Sequence, residues 1–174
     1  MIQRPDRNEC APYYWTYFDK VPEGDILETL AQGRDEVASL FGSVPADRET
    51  WAYGPDKWTF RELLGHLIDT NQVFAHRAFW FARGGGELPG MDQDEFAAAS
   101  NAADVPLAEL LDIFRLQRDA NLVLFGSFSD AALDRRGVAS DAEITVRMLI
   151  HIIAGHEHHH LGVLRERYLA EASA

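Results

Sequence analysis

An all-α fold, a bundle of four helices, is predicted for this chain by three observations. Four segments carry apolar residues at helical spacing. Three of them begin with an Asp, Ser or Thr followed three residues later by Glu, the spacing of a capping box. No stretch alternates apolar and polar residues in the manner of a half-buried strand.

The elements follow in order. A run of aromatic residues, Tyr13-Tyr14-Trp15-Thr16-Tyr17-Phe18, reads as a packing arm or short helix within residues 1–20. The first bundle helix spans about Asp25 to Phe41, with Asp25 and Glu28 at its start and Ile26, Leu27, Leu30, Val37, Leu40 and Phe41 on its apolar face. The second opens with the capping box Thr59-Phe60-Arg61-Glu62 and runs to about Ala82, where Gly84-Gly85-Gly86 stops it. The third runs from Pro106, a residue suited to a first turn, to Phe125. The fourth runs from about Glu143 to Leu169, with Ser140 and Glu143 at capping spacing. Amphipathic helices of this length bury their stripes best against one another. The length fits a single domain over 1–174, with the bundle over about 25–170. The connections 43–57 and 84–104 are long, which often marks function.

Composition narrows the function classes. The net charge is −12 at pH 7, and no dense Lys/Arg patch offsets it, so neither nucleic acid nor an anionic membrane is an expected partner. No apolar stretch approaches the length of a membrane span, and the first residues lack the apolar core of a signal peptide. Cys10 is the only cysteine, so there is neither a disulfide framework within the chain nor a cysteine metal site, which fits the cytoplasm.

The motif with chemical content is Gly155-His156-Glu157-His158-His159-His160. On a helix His156 and His160 share one face, one turn apart, with Cβ atoms roughly 5–6 Å from each other. They continue the inward stripe of Leu149, Ile152 and Ile153, so two imidazoles stand where apolar residues should pack. Burying them unpartnered is unfavourable, and a shared cation removes the cost. His66, among leucines in the second helix, is the third candidate ligand. Three histidines leave coordination positions open, as in catalytic rather than structural sites, and imidazole suits zinc or nickel first and iron next. His158 and His159 read as surface or supporting groups, and His76 and His151 as structural or solvent-facing. Glu62 and Asp69, one turn either side of His66, are the candidate catalytic carboxylates. Each also has a structural reading, Glu62 as the helix cap and Asp69 as an ion-pair partner of Arg77 or Arg83. Those two arginines could instead grip an anionic substrate.

Several segments together resemble the DinB/YfiT-like superfamily: Trp58 through Thr70, Ala75-His76-Arg77-Ala78, Phe81-Ala82-Arg83-Gly84, Leu88 through Asp94, and the closing Gly155 to His160 run. The similarity extends from about Tyr14 to Tyr168. It implies a four-helix bundle of up-down-down-up topology, and a divalent metal held by one histidine of the second helix and two of the fourth, which are His66, His156 and His160 here. The family includes thiol-dependent S-transferases and a thiol-dependent maleylpyruvate isomerase, and some members are described as metal-dependent hydrolases. The resemblance therefore implies a low-molecular-weight thiol of the bacillithiol or mycothiol kind as co-substrate, a small electrophile as acceptor, and a homodimer. Metal-assisted hydrolysis and a non-catalytic metal-binding stress protein are the alternatives.

Overall fold

A computed structural model describes residues 1–170. Its helices are α1 (Trp15–Phe18), α2 (Ile26–Gly42), α3 (Phe60–Ala82), α4 (Gln93–Ala99), α5 (Leu107–Gly126), α6 (Asp130–Leu133) and α7 (Val146–Val163). A π-helical turn, Leu164–Leu169, prolongs α7.

The four long helices form the bundle. Around its axis they stand in the order α2, α5, α3, α7, because α2 packs on α5 and α7, and α3 packs on the same two. Of the successive bundle helices, α3 and α5 are thus neighbours, whereas α2 and α3, and likewise α5 and α7, stand diagonally, so the chain between them must cross an end of the bundle. Local chemistry sets the ends. The Asp25 side chain accepts from the Leu27 amide. At α3 the capping box is complete: Thr59 accepts from the Glu62 amide, and the Glu62 carboxylate accepts from Thr59 N–H at 2.8 Å.

Two groups of apolar side chains fill the interior. One joins the arm to the α3–α7 seam through Phe18, Phe74, Leu149 and Ile153; the other, around Phe41, Phe60, Leu64, Phe114 and Leu164, closes the opposite end. The arm covers this chain's own core: Tyr14 and Phe18 are buried, and the backbone of Tyr17 lies so close to Gly155 that any Cβ there would collide with its carbonyl.

The structure corrects one expectation. A small sheet is present, with strands β1 (Glu87–Leu88), β2 (Arg136–Ala139) and β3 (Ala142–Thr145). β2 and β3 form an antiparallel hairpin, with Ala139 opposite Ala142, and β1 adds in parallel to β2. Its two-residue turn places Ser140 and Asp141 at positive φ (54° and 59°), the conformation that tight hairpins require. Ser140 and Glu143 therefore belong to the hairpin and do not cap the fourth helix. That helix begins at Val146, and Thr145 caps it by accepting from the Met148 amide at 3.2 Å. The 84–104 connection is likewise structured, holding β1, α4 and a 3-10 turn at Ala102–Asp104.

Candidate metal centre

α3 and α7 pack side by side, so His66 of one meets His156 and His160 of the other. The three Nε2 atoms form a nearly equilateral triangle: 3.1 Å from His66 to His156, 3.2 Å from His66 to His160 and 3.1 Å between the α7 pair. An ion at the usual metal–imidazole distance of about 2.0–2.1 Å from all three would subtend N–metal–N angles of roughly 95–105°, between facial octahedral and tetrahedral values. The donor set therefore fits a divalent ion with open positions.

The surroundings hold the rings in place. Thr70 Oγ1 lies 3.5 Å from His66 Nδ1, one turn along α3, leaving Nε2 to face the other two histidines. The Trp58 indole, just before α3, packs over His66 with ring centres 4.5 Å apart. Tyr17 of the arm meets His156 edge-on at 5.2 Å, and Phe74 meets it from α3 at 6.3 Å. His160 Nδ1 is buried without a hydrogen-bond partner among the described residues.

Burial keeps the triad neutral. It pushes His66 down to about 4 and His160 down to about 3, with further lowering of His66 from His159 and of His160 from His66 and His159. It drives His156 well below its ordinary value, and the neighbouring imidazoles add to the effect. Three neutral imidazoles thus converge through Nε2 at neutral pH, and in the tautomer that carries its proton on Nδ1 each offers a lone pair to a shared cation.

Two cavities meet the triad from different directions. A cavity of about 330 Å³ is lined by His66 and His156, with Tyr14, Phe74, Arg77 and Met91 among its walls. A second, of about 280 Å³, is lined by His160 with Trp58, Lys57 and Asp94. The 84–104 connection contributes to both, Met91 and Gln93 to the first and Asp94 to the second.

The other sequence candidates are placed as follows. Glu62 is committed to its cap, accepting from both the amide and the hydroxyl of Thr59. Asp69 lines neither cavity, and burial raises its carboxyl above the ordinary value. Among the described residues it forms no ion pair; Arg77 instead donates to the Pro89 carbonyl at 2.8 Å, and the Arg83 guanidinium lies over the Phe79 and Phe128 rings. His158 Nδ1 sits 3.2 Å from the Lys20 carbonyl and His151 Nδ1 2.8 Å from the Arg147 carbonyl, while His76 packs near Trp80.

Sequence reasoning missed Trp58, Tyr17 and Phe74 as walls of the site. It also missed the partner of Glu157. That carboxylate points away from the triad and receives Arg118 of α5 at 2.8 Å, with both side chains almost fully buried. Arg118 also donates to the Leu30 carbonyl of α2 at 2.9 Å, so the pair ties three helices together. Gly33 makes room for it, since a Cβ there would collide with the Glu157 carboxylate.

Comparison with known proteins agrees with this architecture. YfiT from Bacillus subtilis, described as a probable metal-dependent hydrolase with an unusual four-helix bundle topology, superposes with a TM-score of 0.74 over 84% of this chain and 86% of its own, at 16% identity. A DinB-like protein from Bacillus subtilis, YjoA, gives 0.63 at 18% identity, covering 87% of this chain and 94% of its own. A mycothiol-dependent maleylpyruvate isomerase gives 0.65 at 12% identity, covering 83% of this chain but 61% of its own length. At these identities the likeness concerns the fold. No functionally curated protein is detectably similar in sequence. The sequence profile of the DinB superfamily matches residues 29–164, most of the chain, and with the bundle topology this settles the kinship: the chain belongs to the DinB superfamily.

Proposed function

We propose that this protein is a divalent-metal-dependent transferase that joins a low-molecular-weight thiol to a small electrophile, with His66, His156 and His160 as the metal ligands. The observation that carries the reading is the position of the triad between two cavities, one reaching His66 and His156 and the other reaching His160. Such an arrangement suits a two-substrate reaction, with the sulfur delivered from one cavity and the electrophilic carbon from the other. The likeness to a mycothiol-dependent isomerase supports the same chemistry.

A zinc or nickel ion at the triad, or iron in their place, would favour the thiolate form of a thiol at neutral pH, and the thiolate is the nucleophile. The chain's own residues do the rest. The aromatic walls, Trp58, Tyr17 and Phe74, exclude water around the reacting atoms. Thr70, as acceptor from His66 Nδ1–H, would leave the Nε2 lone pair free for the metal. No protein cysteine is required, in keeping with Cys10 lying outside both cavities.

The decisive experiment incubates metal-loaded protein with mycothiol or bacillithiol and a panel of epoxides, halides and lactones, then searches for conjugates by mass spectrometry. Conjugate formation that disappears on chelation and in His66→Ala is expected. Conjugation at equal rate in His66→Ala protein shown to lack metal would refute the proposal. The second reading is metal-assisted hydrolysis, favoured by Asp94, a carboxylate in the wall of the His160 cavity that could serve as base. Turnover of chromogenic esters without added thiol, lost in Asp94→Asn, would favour it.

A further inference from the structure

The larger cavity contains a cation that the triad does not explain. Arg77 is 3% exposed, lies in the cavity wall, and has no carboxylate within ion-pairing distance among the described residues. A buried charge is normally paired. In a protein of net charge −12, with 28 acidic residues available, the lack of a counter-ion here stands out. It donates to the Pro89 carbonyl and hydrogen-bonds to the Tyr14 phenol, which leaves part of the five N–H groups of a guanidinium for a guest. The phenol of Tyr14, another wall of the same cavity, is the polar side chain that interacts with it.

The helix aims Arg77 along the cavity towards the triad. His66, Thr70, Phe74 and Arg77 all line this part of α3. Eleven residues separate His66 from Arg77, about three turns, which returns them to one face within roughly 20°. Side chains on a helix lean towards its N-terminus, here towards His66. The Arg77 guanidinium accordingly lies over the Phe74 ring, one turn back, at 5.6 Å from its centre. Phe74 in turn stands 6.3 Å from the His156 ring. These two spacings, 5.6 Å and 6.3 Å, bound the guanidinium carbon to within about 12 Å of the His156 ring centre. The cavity wall is mostly aromatic and apolar, with Phe74, Tyr17 and Met91 beside the polar Thr70 and Gln93.

We infer that Arg77, with the Tyr14 hydroxyl beside it, is the anchor for a substrate carboxylate, and that one of the two substrates is a small monocarboxylic acid whose reacting atom reaches the triad along the Phe74 wall. The inference rests on the proposed two-substrate reading and adds the charge and length of one substrate. One guanidinium matches one carboxylate, which it can grip through two parallel hydrogen bonds. The apolar wall suits a hydrocarbon body, and fixing the acid at one end orients the other.

A molecular ruler tests this. Protein loaded with cobalt(II) is titrated with mercaptocarboxylic acids of two to eight methylenes and with the matching mercaptoalcohols, and binding is read from the sulfur-to-cobalt charge-transfer band. At the best chain length the acid should bind at least about tenfold more tightly than the alcohol, the value of one extra charge-assisted hydrogen bond. Arg77→Gln keeps a donor for the Pro89 carbonyl and removes the charge; it should erase the preference while leaving the alcohol band unchanged, and Arg77→Lys should restore part of it. Equal binding of acid and alcohol by the unaltered protein, or a preference that survives in Arg77→Gln, overturns the inference. If no cobalt band forms, the metal reading itself fails. The anchor is then judged on metal-free protein by titration calorimetry with hexanoate and 1-hexanol: an acid preference that Arg77→Gln removes upholds it, and its absence refutes it.

Discussion

Two polar groups are buried one residue apart on α7, and they are buried on opposite terms. Glu157 meets Arg118, a charge of the other sign at 2.8 Å, and the guanidinium also reaches the Leu30 carbonyl. His156, on the adjoining sector of the same turn, meets two more imidazoles whose nitrogens point at its own from 3.1 Å. The first cluster pairs its two charges among packed helices, with Arg118 Nε left without a hydrogen-bond partner among the described residues. The second is chemically unfinished and opens onto two cavities. A self-neutralising buried pair serves the fold, whereas donors of one kind converging beside open space call for a guest.

The largest effect should come from breaking the Arg118–Glu157 ion pair. Arg118→Met leaves Glu157 buried and alone, and should lower the stability of metal-free protein by about 3–5 kcal/mol in denaturant titration. The double variant Arg118→Met/Glu157→Leu should recover most of that loss. If the single variant were as stable as the parent, the pair would not be the clamp described here.

Acid should separate the clusters next. Burial holds His66 and His151 down near 4 and His160 near 3, below the value of about 6.5 expected in the unfolded chain. The unfolded chain therefore takes up protons first. The stability contributed by these neutral imidazoles is complete above pH about 6.5 and is lost as pH falls through about 4. His151 alone accounts for up to about 3 kcal/mol of this fall, so His151→Gln should flatten the profile of metal-free protein between pH 6.5 and 4. A profile level across that window would contradict the burial of the histidines.

A guest should act on one cluster alone. Zinc at one hundred times its dissociation constant should stabilise the protein by about 2.7 kcal/mol, raising Tm by roughly 5–10 °C. The gain should vanish in His156→Ala and persist in the Arg118/Glu157 double variant. The smallest effect concerns the ring support: Thr70→Val should weaken metal binding by about tenfold, since the residue orients His66 without touching the ion.

The contrast also explains what the sequence made legible. The triad could be read because His156 and His160 interrupt an apolar stripe at a one-turn interval, and because His66 does the same among leucines. The bundle could be read because its helices are long and their caps at Asp25 and Thr59 are local signals. The Arg118–Glu157 pair could not, since 39 residues separate its members and nothing local relates them. The hairpin escaped because Ser140 and Asp141 hold the positive-φ turn positions where Asn-Gly or Asp-Gly would have announced it. The walls of the site escaped for the same reason as the pair: Trp58 precedes a helix and Tyr17 belongs to the arm, and tertiary packing alone brings both to the histidines.

The claim on which the rest depends is that the three imidazoles form one cation site. Its most direct test is elemental analysis, with equilibrium dialysis against zinc and nickel, of protein purified without an affinity tag, alongside His66→Ala. One equivalent of divalent metal per chain, falling below about a tenth in the variant with its helical content intact, is the result this account predicts. Stoichiometric metal that survives the loss of His66, or a parent protein that takes up none at neutral pH, would contradict it.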